Sequence, residues 1–115
     1  MYASDQVVKW PFGEADVQSI AYADISDDIV IKNNKTIVTV GTLEDDVTVN
    51  LDISDEVEVG AELTLRLTSD TTARDVTLGT GLEGNAIAGV ISKTKVAKFE
   101  FDGSNFVCVS TIQID

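Results

Sequence analysis

Between residues 33 and 109, apolar and polar positions alternate almost without a break. Val47, Val49, Leu51 and Ile53 are interleaved with Thr48, Asn50 and Asp52. Leu63, Leu65 and Leu67 are interleaved with Thr64 and Arg66, and Phe99 and Phe101 flank Glu100. Side chains of a strand point to opposite faces with a period of two, so this pattern predicts strands with one buried face and one wet face. Several such strands, closely spaced and separated by Gly, Asn, Asp and Ser, read as a small antiparallel β-sandwich or a barrel-like closure of the same strands. An all-β chain leaves no room for a helix-based catalytic or cofactor fold.

The punctuation between strands is specific. Asn33-Asn34 stands between two β-branched runs and suits a two-residue hairpin, because Asn tolerates the positive φ such turns require. The strand over residues 36–40 ends at Gly41, and Glu44-Asp45-Asp46 leads into a strand over 47–53. Ser54-Asp55-Glu56 and Gly60-Ala61 make the next corners, before a strand over 63–67. A loop over 69–74 precedes a short strand over 75–78. Residues 79–92 carry four glycines and read as a long excursion with one short strand. Asp102-Gly103-Ser104-Asn105 then joins strands over 96–101 and 106–112, a strong hairpin signal. No internal repeat of usable length is evident.

Residues 1–28 differ from the rest. They hold the only Trp (Trp10), the only Pro (Pro11) and both Tyr (Tyr2 and Tyr22). Pro11 lacks an amide donor and restricts Trp10, which disfavours a helix or central strand there. A helical reading of residues 14–24 is short and uncapped. The division is therefore an N-terminal arm, residues 1–28, with room for one strand, and a β domain, residues 29–115. The arm's aromatics need cover, either from the domain's own flank or from a neighbouring subunit.

Composition narrows the function classes. At 115 residues the chain fits one domain that can bury roughly 65% of its unfolded surface. Its single cysteine, Cys108, forms no intramolecular disulfide and reads as a small apolar filler in a strand. The chain has no histidine, so neither Cys108 nor any Ser or Thr has that base. The net charge is −12, unevenly spread: residues 1–62 carry 14 acids and three bases, residues 63–115 six acids and five bases. Nucleic acid and anionic membrane faces would repel such a chain, so neither is expected as a partner. Residues 1–12 lack the apolar stretch of a signal peptide, so the sequon Asn34-Lys35-Thr36 reads as accidental.

Two motifs invite chemistry. Gly79-Thr80-Gly81-Leu82-Glu83-Gly84 satisfies G-x-G-x-x-G, but dinucleotide binding needs a helix starting at that loop, and residues 85–95 have no helical period. The glycines are expected instead to supply positive φ. Asp45, Asp46, Asp52, Asp55, Glu56 and Glu58 could supply oxygens to calcium, yet no Asp-x-Asp-x-Asp-Gly loop is present. A solvated, charged edge accounts for them. Nothing marks two carboxylates as facing each other across a cleft. The expectation is no catalytic residue, no cofactor and no metal.

A longer pattern runs through the carboxy-terminal two thirds. It comprises Thr72-Ala73-Arg74-Asp75-Val76-Thr77-Leu78-Gly79-Thr80-Gly81, then Ser92-Lys93-Thr94-Lys95, then Phe99-Glu100-Phe101-Asp102-Gly103-Ser104-Asn105-Phe106. Over about residues 33–112 this resembles small β-rich structural proteins of tailed bacteriophages, which decorate capsids or form parts of head or tail fibres. The resemblance implies a virion subunit that binds the major capsid protein and other virion proteins, with self-association, as a trimer for instance, also open. The leading expectation is an auxiliary capsid (decoration) protein on the outside of the head, where its charge is kept from packed DNA. Trp10, Phe12 and Tyr22 are the expected docking anchors. The alternatives are a head- or tail-fibre component and a carbohydrate- or receptor-binding module.

Overall fold

The structure is a computed structural model that describes residues 15–114. In chain order these residues form β1 (Asp16–Ile20), a 3-10 turn (Tyr22–Asp24), β2 (Ile29–Ile31), β3 (Lys35–Val40), β4 (Val47–Val49), β5 (Leu51–Ile53) and β6 (Glu62–Thr68). Then follow β7 (Val76–Leu78), β8 (Leu82–Glu83), β9 (Thr94–Phe101) and β10 (Phe106–Ile114). The build is all-β, and the strands fall close to where the alternation places them. The stretch expected to be an arm contributes β1, which joins the main sheet.

The pairing differs from the expected antiparallel sandwich. β1, β3 and β6 lie side by side in parallel, as do β2 with β5 and β4 with β7. A parallel bridge also joins Leu43 to Ser69. Partners in these ladders stand roughly 20–29 residues apart, from Asp16↔Thr36 to Val47↔Val76. Each ladder therefore links one circuit of the chain to the next. β3, β4 and β5 make a middle turn, with β1 and β2 stacked on one side of it and β6 and β7 on the other. The result is a short solenoid-like stack. Period-two alternation reports one face in and one face out, which stacked parallel strands satisfy as well as antiparallel ones.

The Asn33-Asn34 hairpin is the clearest correction. β2 and β3 do not pair with each other; β2 goes to β5, and β3 goes to β1 and β6. The residues between them form a corner tied to the next turn of the stack. Asn34 Oδ1 accepts the Glu58 amide at 2.9 Å, and Asn34 Nδ2 donates to Glu58 Oε1 at 3.2 Å. The strand expected over 47–53 likewise breaks at Asn50 into β4 and β5. Asn50 is a three-turn junction: its carbonyl accepts Ile29 N at 2.9 Å, and its Oδ1 accepts Thr80 N at 2.8 Å. Gly79, beside it, has no space for a Cβ, which would meet Asn50 Oδ1 and the Thr48 side chain.

The antiparallel ladders, among the described residues, join β9 to β6 and β10 to β9, and an isolated antiparallel bridge joins Val76 to Ile87. The hairpin expected at Asp102-Gly103-Ser104-Asn105 is present. Asp102 Oδ1 accepts the Ser104 and Asn105 amides, each at 2.8 Å, and Gly103 takes φ 107°. Of the three glycines expected to supply positive φ in that loop, Gly81 and Gly84 do, at 82° and 144°, and Gly79 does not. The large sheet runs β1-β3-β6-β9-β10-β8. Its inner face carries Val38, Leu63, Leu65, Phe99 and Phe106, which meet Ile31, Leu43, Val49 and Val76 from the other walls in one core. Burying each of these side chains is worth about 1.5–3 kcal/mol. Phe101 and Phe106 stack with centroids 5.0 Å apart.

Candidate functional site

The outer face of the large sheet is built by the positions that alternate with the core. Register places Val17, Ile37, Thr64, Lys98 and Ser110 in one row across five strands. Thr39, Arg66, Val96 and Ile112 form the next row, and Lys35, Glu62, Glu100 and Val107 the row on the other side. A register shift between Cys108 and Ser110 turns Val109 outward as well, while Cys108 packs against the core as a half-buried filler. Val17, Val109 and Ile112 are 66%, 58% and 54% exposed, a high value for such side chains on adjoining rows. A groove of about 570 Å³ runs along this face, with Ile37, Thr64, Val96, Val109 and Ile112 among the residues that line it.

Charge on this face is unlike that of the chain. Lys35, Arg66 and Lys98 stand with Glu62 and Glu100, giving +1 on a molecule of −12. Glu62 and Glu100 are direct cross-strand partners, a like-charge juxtaposition that destabilises a sheet unless something neutralises it. Among the described residues, none of these five side chains forms an ion pair or a hydrogen bond. The face therefore offers apolar area beside charges of both signs, with Lys35 as the cross-strand neighbour of Glu62.

The other walls are acidic. Asp45, Asp46, Asp52, Asp55, Glu56 and Glu58 are all exposed. Several shape the fold there: Asp46 Oδ1 accepts the Asp75 amide at 2.8 Å, tying two turns of the stack. Among the described residues, no group of three or more His, Cys, Asp or Glu is placed to hold a metal ion. Arg74 grips Asp70 with two bonds, Nε to Oδ1 at 2.9 Å and Nη2 to Oδ2 at 3.0 Å. That guanidinium, with the Thr72 amide, holds the Asp70 carboxyl below its ordinary value of 3.8. Among the described residues, no helix is long and apolar enough to cross a membrane.

Of the three expected anchors, Trp10 and Phe12 lie outside the described residues. Tyr22 lies in the 3-10 turn, half-buried against the core, and lines a shallow hollow with Ile25, Asp46 and Val47. The sequence reading missed Ile37, Val109 and Ile112. Its signal was present: Val107, Val109, Ile112 and Ile114 make the last strand apolar on its second face too. Comparison with protein-family models, with curated proteins and with solved structures returns no match to this chain.

Proposed function

We propose that this chain is a structural, non-catalytic virion subunit: an auxiliary capsid protein attached to the outside of a tailed-phage head. The resemblance of residues 33–112 to such proteins motivates the reading. The observation that supports it most is the asymmetry of the stack. The β9–β10 hairpin closes one end, while at the other end β1 pairs, among the described residues, on one side alone, with β3. Residues 1–14, carrying Trp10 and Phe12, precede β1 in the chain, and Tyr22 follows it. Docking on the major capsid protein through these aromatics leaves the acidic walls facing solvent. Many weak contacts repeated over a shell stabilise it by avidity.

The test is co-sedimentation with heads lacking the subunit. The full chain is expected to pellet with the heads, and the Trp10→Ala, Phe12→Ala double variant to remain in the supernatant. Equal pelleting by both would refute the anchoring model. A fibre component is the second reading, favoured by the stacked parallel turns, a geometry that elongates by adding circuits. A carbohydrate-binding module is less well supported. It needs exposed aromatic platforms, whereas among the described residues Phe99, Phe101 and Phe106 are buried and Tyr22 is half-buried.

A further inference from the structure

We infer that the outer face of the large sheet is a self-association surface, on which a second copy of this chain docks face to face about a two-fold axis. The inference does not depend on where the protein resides. Charge selects the occupant. Two copies of a −12 molecule repel each other over most of their surfaces, and the face bearing Lys35, Arg66 and Lys98 is where that repulsion is locally cancelled. Two of the charges on β6 are also self-complementary. Glu62, Thr64 and Arg66 project to this face from successive outward positions of β6. A two-fold axis running across the strands at the level of Thr64 brings Glu62 of each copy over Arg66 of the other, two opposite-charge pairs against the single meeting of Lys98 with its own copy on the axis. The same contact adds Arg66 of the second copy to Lys35, the cross-strand neighbour of Glu62, in offsetting the Glu62↔Glu100 opposition.

Apolar cover follows from the same docking. Ile37, Val109 and Ile112 leave water when a second sheet packs about 10 Å away. Five strands at ~4.8 Å and six residues at ~3.3 Å give a contact of about 24 by 20 Å, or about 500 Å² on each copy. The total of about 1,000 Å² lies at the low end of specific interfaces. A micromolar, reversible dimer is the expected strength. Its isologous symmetry closes the assembly at two copies.

Sedimentation equilibrium of the full chain across a concentration series tests this. Wild type is expected to move from monomer to dimer and to stop there. Glu62→Arg and Arg66→Glu, singly, each set like charges against each other and should weaken association about tenfold or more. The double reversal restores the complementary pair and should recover wild-type association, which a merely misfolded variant cannot do. Ile112→Asp should leave a monomer with a wild-type circular-dichroism spectrum, whereas Val59→Asp, exposed but away from this face, should leave the dimer intact. A monomer at every concentration, a dimer indifferent to Ile112→Asp, or a double reversal that fails to rescue would each overturn the inference.

Discussion

At the scale of single residues, Thr36 is the most informative misfit. It lies in β3 at 1% exposure, facing the core, and its hydroxyl is a buried polar atom without a partner. Removing an unpaired buried hydroxyl while keeping the shape avoids a desolvation cost, so Thr36→Val is expected to stabilise the fold by about 1 kcal/mol. Urea unfolding checks this: the midpoint should rise with no change in slope. A lower midpoint would mean that the hydroxyl is satisfied in solution. Asn50 shows the opposite case, a polar side chain whose place between β-branched and aliphatic neighbours gives little hint that it joins three turns of the stack. Its bonds run to Ile29 and Thr80, neither of them near in sequence.

At the scale of elements, the hairpin between β9 and β10 carries a pH dependence. The Asn105 and Ser104 amides hold the Asp102 carboxyl below its ordinary value of 3.8. A carboxyl depressed in the folded state contributes stability that is fully present above the unfolded value and is lost as pH falls through the folded one. Asp102→Asn should therefore melt lower than wild type at neutral pH, and the two should converge well below pH 3.8. Thermal melts at neutral and acid pH decide it, and a gap that persists in acid would contradict the assignment. This hairpin was legible because its turn chemistry is local. The parallel ladders were not, because alternation specifies which face of a strand is buried and leaves its neighbour open. The turns of the stack differ in length, with partners roughly 20 apart at Asp16↔Thr36 and 29 apart at Val47↔Val76, so no fixed period betrays them. The outer groove was half legible: the near-balance of charge after residue 62 was visible, but Lys35 joins Arg66 and Lys98 through the fold alone.

At the scale of the whole molecule, the structure is a closed core with three kinds of exterior: acidic walls, a nearly neutral apolar face and an edge at β1 that pairs, among the described residues, with β3 alone. The proposed virion role rests on these surfaces. Each exterior then has its own part in the account. In the proposed role the acids keep the subunit solvated, Trp10, Phe12 and Tyr22 dock on the shell, and the sheet face takes another copy. The most direct measurement is immunogold labelling of intact particles with antibody raised against the folded chain. The account predicts gold over the outside of filled heads, lost when the gene is disrupted while the heads themselves persist. Label confined to tails, or absent from intact particles and present after the heads are broken open, would contradict it.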